Sequence, residues 1–181
     1  MKSSNKKPAS VSLQNKIAKI KLVLTDCDGV LTDTGVYYSE KGEVMKRFSI
    51  RDGMGVERLR NLLNIETGIV TGEFSESVRK RAEKLKIKEL HLGIKNKVLL
   101  LNEIMKRKKL KRENIAYIGD DMNDYEIMQK VGLAACPSDA MKEIIEISDY
   151  VCKNRGGFGA FREFAEMIIN WQLKNKNSRK L

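Results

Sequence analysis

The chain has 181 residues, of which 41% are hydrophobic and 33% charged, and its formal net charge is +11. This composition is typical of a globular domain rather than a disordered or membrane-embedded chain, and the length suits one domain with a proper core. No apolar run approaches the roughly 18 residues of a membrane-spanning helix. The polar start MKSSNKKPASVS lacks the apolar region of a signal peptide. We therefore expect a cytoplasmic protein without a membrane partner.

The positive charge lies mainly in the terminal segments and in helical faces such as IMKRKKLKRE. Clustered lysine and arginine can neutralise nucleic-acid phosphates. However, aromatic residues make up only 6% of the chain and do not alternate with the basic runs to form a stacking surface. We expect no nucleic-acid partner, whereas a positive field would attract a small anionic substrate. Three cysteines without a CxxC pair argue against a disulfide framework or a zinc site.

Residues 1–15 are predicted to be a flexible arm and residues 174–181 a flexible basic tail. Residues 16–173 between them form the predicted single domain. There the predicted strands are, in chain order, IKLVLTD, IETGIVTG, IKELHL, NIAYIGD, GLAAC and DYVCK. The predicted helices are DGMGVERLRNLL, SESVRKRAEKLK (with Ser75 as its N-cap), KNKVLLLNEIMKRKKL, MNDYEIMQKV, SDAMKEIIEIS and GAFREFAEMIINW. The segment GVYYSEKGEVMKRFS predicts a β-hairpin after the first strand. Strands that alternate with helices predict an α/β fold with a mostly parallel sheet and helices on both faces.

Polar residues follow three of the predicted strands. Asp26 and Asp28 follow the first, Thr71 follows the second, and Asp120 ends the strand NIAYIGD. In open α/β sheets ligands bind beyond these carboxyl ends. Asp26 and Asp28 are two positions apart and project to the same side if the extended conformation continues. Carboxylates from two strand ends suit Mg²⁺, which takes one or two carboxylates together with substrate phosphate.

A phosphate ligand also needs donors and a positive charge. Thr71, followed by Gly72, offers a hydroxyl group and free backbone N–H groups. Lys97 opens the helix KNKVLLLNEIM and is the natural candidate for offsetting phosphate charge.

Four segments of the chain resemble, in order, the four motifs of the haloacid-dehalogenase (HAD) phosphatase superfamily. They are DCDGV, the threonine of IVTG, the lysine that opens a helix, and GDDMND. Between the first two motifs the hairpin is the only insertion into the alternation of strands and helices, which leaves no room for a cap domain. The resemblance therefore implies a Rossmann-like, three-layer HAD fold with a hairpin flap and no cap domain. With FSIRDGMGV, VRKRAEKL and RGGFGAFREF, the chain further resembles the capless 3-deoxy-D-manno-octulosonate 8-phosphate (KDO 8-phosphate) phosphatase family and its sialic-acid-type (nonulosonate) 9-phosphate relatives.

This resemblance implies a phosphoric monoester hydrolase of cell-surface sugar (lipopolysaccharide) biosynthesis. Asp26 attacks phosphorus and forms an aspartyl phosphate, as in covalent catalysis. Asp28 protonates the leaving sugar oxygen and then activates water. Thr71 and Lys97 contact the phosphoryl group, whose charge Lys97 and the metal neutralise.

The resemblance also implies a Mg²⁺ site. Its ligands are the side chains of Asp26 and Asp120 and the backbone carbonyl of Asp28. Asp121 and Asp124 orient the metal shell and Lys97.

Substrate contacts are implied for a stretch after the hairpin and for residues near the second motif. These residues are Ser49, Ile50, Arg51, Asp52, Gly53, Thr71, Gly72, Glu73, Arg81, Lys84 and Lys97. The family further implies a homotetramer, in which the hairpin and RGGFG of neighbouring subunits help to close the site.

The substrate is left open at one position. KDO 8-phosphate phosphatases usually have arginine after the TG of the second motif, whereas this chain has Glu73. Glu73, together with Lys84, resembles the nine-carbon enzymes, but RDGMG is closer to the eight-carbon pattern. A broad-specificity HAD phosphatase and a non-catalytic regulatory module are the alternative functions, and the second predicts loss of a motif carboxylate.

Overall fold

The structure, a computed structural model, describes residues 12–178. The strands in this part of the chain are β1 Leu22–Thr25, β2 Val36–Ser39, β3 Gly42–Lys46, β4 Glu66–Val70, β5 Glu89–His91, β6 Ile115–Ile118, β7 Leu133–Cys136 and β8 Tyr150–Val151. The α-helices are α1 Leu13–Ile17, α2 Ile50–Leu63, α3 Glu76–Leu85, α4 Lys97–Lys108, α5 Tyr125–Met128, α6 Lys142–Ile147 and α7 Ala160–Ser178.

One parallel sheet runs through the molecule in the strand order β5-β4-β1-β6-β7-β8. β2 and β3 pair separately as an antiparallel hairpin. Because β1 is central, Thr25 at its end lies opposite Ile69 of β4 and Ile118 of β6. The carboxyl ends of these three strands therefore meet at one edge. The predicted α/β architecture with a hairpin is confirmed.

Helices cover both faces of the sheet because its strands are apolar on both sides. Successive strand residues point to opposite faces, so Val23 joins one hydrophobic core and Leu22 and Leu24 join the other. The first core includes residues of α1, α2, α3 and α7, and the second includes residues of α4, α5 and α6. Within residues 12–178, no helix has the length and apolar character needed to cross a membrane.

The two chain ends differ in part from the predicted limits. Residues 1–11 of the predicted arm and 179–181 of the predicted tail lie outside the described residues. α1 begins at Leu13, inside the predicted arm, and Ser12 Oγ accepts a hydrogen bond from the Asn15 backbone N–H. α7 continues past position 173 to Ser178. The flexibility of both ends and the limits of the domain stay predictions.

Two predicted helices are shorter in the structure. The segment MNDYEIMQKV forms a 3₁₀ turn over Met122–Asp124 followed by the single turn of α5. In SDAMKEIIEIS the helix begins only at Lys142, because the Met141 N–H is bonded to the carbonyl of Asp120.

Helix caps fix two starts near the site. α2 begins at Ile50, earlier than predicted, because Ser49 Oγ accepts from the Asp52 N–H. Ser75 caps α3 as predicted, accepting from the Val78 N–H.

Candidate active site

Three carboxylates meet where β1 and β6 end. Asp26 follows β1, and its N–H bonds to the Ile118 carbonyl of β6. Asp120 and Asp124 lie in the segment after β6. One oxygen from each of Asp26, Asp120 and Asp124 lies within 4.8 Å of the other two. The topology therefore creates a compact acidic cluster at the edge that was predicted for the site.

The cluster is short of positive charge and of donors. Burial, and then the charge of Asp124, raise the pKa of Asp26 to about 7. Burial, and then the charge of Asp26, raise the pKa of Asp120 to about 8. Asp26 Oδ1 and Asp120 Oδ1 are buried without a hydrogen-bond donor. Buried carboxylates in this state are strongly destabilised unless a cation joins them, and hard oxygen donors fit Mg²⁺.

Lys97 is the buried cation of the site. As the first residue of α4, it follows the N-cap Asn96. Its Nζ lies 3.1 Å from Asp26 Oδ1, in an ion pair without hydrogen-bond geometry, and donates to Asp124 Oδ1 at 2.6 Å. Although burial lowers it, Asp26 and Asp124 hold the pKa of Lys97 above its usual value. Lys97 therefore stays charged beside Asp26.

Asp124 fixes the position of Lys97. Its Oδ1 also accepts from the buried Tyr117 hydroxyl at 2.5 Å, which itself accepts from Lys97 Nζ at 3.2 Å. Its Oδ2 accepts from the Asp120 N–H at 3.1 Å. Asp124 thus orients Lys97 and the segment that carries Asp120. Asp121, by contrast, is exposed and bonds to the Met122 N–H.

Asp28 lies apart from the acidic cluster. The extended conformation assumed for Asp26–Asp28 is wrong, since β1 ends at Thr25 and the chain turns back. The N–H groups of residues 30–32 all point to the Cys27 carbonyl. The partly exposed Asp28 carboxylate instead accepts from Lys46 Nζ at 2.7 Å through both oxygens. Whether its backbone carbonyl binds metal stays a prediction.

Thr71 lies at the end of β4, next to the site. Its buried Oγ1 accepts from the Glu73 N–H at 3.3 Å, and its own N–H is bonded to the His91 carbonyl. Within the segment 71–73 only the Gly72 N–H is left unbonded by the described residues. Glu73 and Lys84 are both exposed, and in the described part of the chain neither forms an ion pair.

Part of the predicted substrate stretch lines an open cavity. Ser49, Ile50 and Arg51 border a cavity of about 380 Å³. Its other lining residues are Arg47, Phe48, Gly157 and Phe158. Ile50 is 83% exposed and Arg51 is also exposed, so both are available to a ligand.

The other residues of that stretch face the protein interior. The Asp52 carboxylate is buried and accepts from the N–H groups of Gly159 and Arg162 at 3.1 and 2.8 Å. Asp52 therefore anchors the start of α7 to α2. Its contact with substrate stays a prediction.

Arg81 contacts the backbone of residues 49–53. Its Nη2 donates to the Ser49 carbonyl at 2.8 Å, and it lies so close to Gly53 that a Cβ there would be 2.4 Å from Nη2. A larger residue at position 53 would therefore displace the Arg81 guanidinium from its present place. Contact of Arg81 or Gly53 with substrate also stays a prediction.

The glycine-rich segment RGGFG packs on the loop after β1. A Cβ at Gly156 would lie 1.8 Å from the Gly29 carbonyl oxygen, and the Gly157 N–H donates to the Val30 carbonyl at 2.9 Å. Arg47, just after the hairpin, donates to the Gly157 carbonyl at 3.1 Å. The cavity beside Arg51 is therefore built directly against the loop that carries Asp28.

Two residues of this site are not among those predicted from the sequence. Tyr117 sits in the strand that leads to Asp120, and a hydroxyl inside an otherwise aliphatic strand was an available signal. Lys46 gave no such signal, because it is one of many lysines and its contact with Asp28 depends on how the hairpin folds over the loop.

Known proteins resemble the chain over nearly all of its length. Residues 89–157 match the family model of haloacid dehalogenase-like hydrolases. The chain is 37% identical over 167 residues to the 3-deoxy-D-manno-octulosonate 8-phosphate phosphatase KdsC of Salmonella typhi. The alignment covers 92% of this chain and 88% of the Salmonella protein.

Two solved structures resemble the fold closely. One is the cobalt-bound deoxy-D-mannose-octulosonate 8-phosphate phosphatase of Haemophilus influenzae, which is 37% identical with a TM-score of 0.85. The match covers 88% of this chain and 92% of the Haemophilus chain. The 3-deoxy-D-manno-octulosonate 8-phosphate phosphatase of Moraxella catarrhalis was solved with a magnesium ion, a phosphate ion and KDO. It is 31% identical with a TM-score of 0.85, and the match covers 92% of this chain and 95% of the Moraxella chain.

Proposed function

Because the chain belongs to the KDO 8-phosphate phosphatase family of haloacid dehalogenase-like hydrolases, we propose that it removes the phosphate group of KDO 8-phosphate. Membership makes the protein a phosphoric monoester hydrolase. One observation carries the proposed mechanism: Asp26 is buried beside Lys97, in a cluster of three carboxylates where Asp26 Oδ1 and Asp120 Oδ1 accept no hydrogen bond. No motif carboxylate is missing, which argues against a non-catalytic module.

The cation proposed is Mg²⁺. Asp26 and Asp120 would hold it through the buried oxygens that accept no hydrogen bond, with Asp124 close by. When bound, the metal would supply positive charge to the phosphoryl oxygens and keep Asp26 ionised. The magnesium and cobalt of the two related structures support a divalent ion here.

Asp26 is proposed as the nucleophile and Asp28 as the acid and base. An Asp26 oxygen forms a bond to phosphorus while the bond from phosphorus to the sugar oxygen breaks, and Asp28 gives its proton to that oxygen. Water then attacks the aspartyl phosphate. Asp28 takes a proton from this water while the water oxygen forms a bond to phosphorus. The bond between the Asp26 oxygen and phosphorus breaks, which releases inorganic phosphate and restores the Asp26 carboxylate.

Lys97 would stabilise charge on the transferred group. Its ammonium is held beside Asp26 by Asp124 and Tyr117, so it needs no reorganisation when substrate binds. Thr71 Oγ1 and the unbonded Gly72 N–H are proposed to donate to a phosphoryl oxygen.

The sugar acid is proposed to lie in the cavity beside the catalytic loop. Arg51, exposed at this cavity, can bind the substrate carboxylate in a bidentate pair. Glu73 favours a second candidate substrate, a nine-carbon sialic-acid-type 9-phosphate, because its exposed and unpaired carboxylate can accept from hydroxyl or N-acyl groups.

We also propose that the enzyme is a homotetramer. A domain without a cap leaves its aspartyl phosphate open to water unless neighbouring subunits form the walls. The hairpin offers an apolar surface for such contacts. The residues concerned are Tyr37 (60% exposed), Tyr38 (71%), Val44 (52%) and Met45 (54%).

Steady-state kinetics on a panel of phosphate esters tests the function. With Mg²⁺, the wild type should show its highest kcat/KM on KDO 8-phosphate or a nine-carbon 9-phosphate, and EDTA should abolish turnover. Similar rates on nucleotides and unrelated sugar phosphates would favour a broad-specificity phosphatase. No turnover of any ester would favour a regulatory module.

The Asp26→Asn variant tests the covalent mechanism. It should fold but have no turnover, because an amide cannot attack phosphorus, while the wild type should bind beryllofluoride as an aspartyl-phosphate mimic. Glu103→Gln, at an exposed position on α4, is the matched control. Appreciable turnover by pure Asp26→Asn would exclude the mechanism.

A further inference from the structure

A buried lysine joins the hairpin to the loop after β1. Only 1% of the Lys46 side chain is exposed, and its Nζ lies 2.7 Å from both carboxylate oxygens of Asp28. Lys46 is the last residue of β3. The foot of the hairpin is thus tied to the side chain proposed as acid and base.

A second contact extends this link to the loop after β4. Glu43 Oε2 lies 3.7 Å from Lys46 Nζ, and Glu43 Oε1 accepts from the Ser75 hydroxyl at 2.5 Å. Ser75 in turn caps α3, just beyond Thr71 and Gly72. The hairpin therefore bridges two loops that border the reaction centre.

The burial of Lys46 restricts Asp28. An ammonium group withdrawn from water is strongly destabilised unless an anion pairs with it, and of its two anionic neighbours only Asp28 is within hydrogen-bond distance. Rotation of the Asp28 side chain away from Lys46 would leave this charge poorly paired. The ionised carboxylate is therefore held in the paired orientation. When Asp28 carries a proton, its carbonyl oxygen can still accept from Lys46 while its O–H group is free to donate.

We propose that Lys46 is a positioning residue that holds the Asp28 carboxyl group in the orientation required for proton exchange with the leaving sugar oxygen. The inference rests on the role proposed for Asp28 above. It assigns to the hairpin a function within the subunit, in addition to any contact with neighbouring subunits.

Two substrates separate this role from a purely structural one. KDO 8-phosphate releases an alkoxide oxygen that needs the Asp28 proton, whereas p-nitrophenyl phosphate releases a stable phenolate that needs none. The value of kcat/KM reports steps up to formation of the aspartyl phosphate, so it isolates this difference. For Lys46→Met, kcat/KM should fall about a hundredfold on KDO 8-phosphate, in line with the contribution of a general acid, and less than about tenfold on p-nitrophenyl phosphate.

Two further variants complete the comparison. Lys46→Arg should recover part of the loss, because it restores a charged donor. Lys41→Met, at an exposed position in the hairpin turn, should leave both substrates unaffected. If Lys46→Met does not fold, Lys46→Gln, whose amide keeps a donor in the buried position, replaces it.

Three results would overturn the inference. Equal losses on the two substrates would show that Lys46 only supports the fold, and an unchanged kcat/KM on KDO 8-phosphate would show no role at all. In an Asp28→Asn background, Lys46→Met should cause no more loss on KDO 8-phosphate than it causes on p-nitrophenyl phosphate, so a further loss of about a hundredfold would also exclude positioning. If the wild type hydrolyses another sugar phosphate instead of KDO 8-phosphate, the proposed substrate is wrong, and the same alkyl-to-aryl comparison is made with that ester.

Discussion

Lys97 Nζ lies 2.6 Å from Asp124 Oδ1, in an ion pair whose two side chains are almost completely withdrawn from solvent. The pair joins the start of α4 to the segment after β6. It places the ammonium beside Asp26 before any substrate binds. The preorganisation of this charge can therefore be tested by changing Asp124 alone.

Asp124→Asn should lower kcat by about ten- to a hundredfold, the value of a lost charged hydrogen bond. Both Asp124 oxygens accept, one from Lys97 and Tyr117 and the other from the Asp120 N–H. The amide NH2 group of asparagine would face either Lys97 and Tyr117 or the Asp120 N–H, and it cannot accept a hydrogen bond from them. Steady-state kinetics with Mg²⁺ measures the change, and Glu103→Gln is the control. A kcat equal to that of the wild type would show that Lys97 needs no such support.

The free energy of unfolding of the metal-free protein should fall as pH rises from about 4 to about 8, because Asp26 and Asp120 lose their protons in this range. Asp26 and Asp120 have pKa values raised to about 7 and about 8 from an ordinary 3.8. Over that window the folded state binds more protons than the unfolded state, so each increase in pH favours unfolding. Burial of the two carboxylates is the main physical cause, and charge repulsion within the acidic cluster adds to it.

Mg²⁺ should reverse this trend, because it binds only the deprotonated carboxylates. At a metal concentration a hundredfold above its Kd the gain is about 2.7 kcal/mol, or roughly 5–10 °C in Tm for a chain of this size. Melting curves with and without Mg²⁺, at about pH 5 and about pH 8.5, check the prediction. An equal rise in Tm at both pH values would contradict a site built on Asp26 and Asp120.

The strand-end residues were predictable from sequence because they follow from topology. The apolar runs before Asp26 and Asp120 indicated buried parallel strands, and parallel strands bring their carboxyl ends together. The contact between Asp28 and Lys46 was not predictable. It joins residues 18 positions apart through a turn after Thr25 and a hairpin whose placement depends on tertiary packing.

Residues 49–53 show a related limit of sequence patterns. The family resemblance implied substrate contacts for this whole stretch, but a helix start presents neighbouring side chains in different directions. Ile50 and Arg51 are therefore exposed, whereas Asp52 points inward to the start of α7. Which member of such a stretch faces a ligand is decided by the packing of α2 against α7.

Gly156→Ala should destabilise the protein by about 1–3 kcal/mol, as overpacking does, and should lower activity. The new Cβ would lie 1.8 Å from the Gly29 carbonyl oxygen, so the loop after β1 would have to move. Gly35→Ala is the control, since its Cβ would meet only Asp33 Oδ1 at 3.4 Å. Denaturant unfolding and kcat/KM measure the two effects. Equal stabilities of the two variants would show that the loop yields easily.

Met45→Glu should dissociate the proposed tetramer and reduce activity. Met45 pairs with Tyr37 across the hairpin, and both are more than half exposed, so a buried charge there would oppose subunit contact. Analytical ultracentrifugation at micromolar concentration measures the state of assembly. Lys41→Glu, at the exposed hairpin turn, should leave it unchanged. A fully active wild-type monomer would remove the argument that neighbouring subunits shield the site.

Glu73→Arg should shift substrate preference toward KDO 8-phosphate. Glu73 is exposed just after Thr71 and Gly72, and within the described part of the chain no cation neutralises it. Its carboxylate can accept from the hydroxyl or N-acyl groups of a longer nine-carbon acid, whereas arginine would instead bind a substrate carboxylate. Lys84, exposed in the following helix α3, is the second residue proposed to contact substrate, so Lys84→Ala is measured beside Glu73→Arg.

The shift is expressed as the ratio of kcat/KM for KDO 8-phosphate to that for a sialic-acid-type 9-phosphate. A charged hydrogen bond is worth about 1.5–3 kcal/mol, so Glu73→Arg should raise this ratio by about ten- to a hundredfold. The ratio cancels general damage to the site, which would lower both values together. An unchanged ratio would show that Glu73 does not select the substrate. A wild type that strongly prefers the eight-carbon ester would exclude the nine-carbon acid as its substrate, because Glu73 would then be compatible with KDO 8-phosphate as it stands.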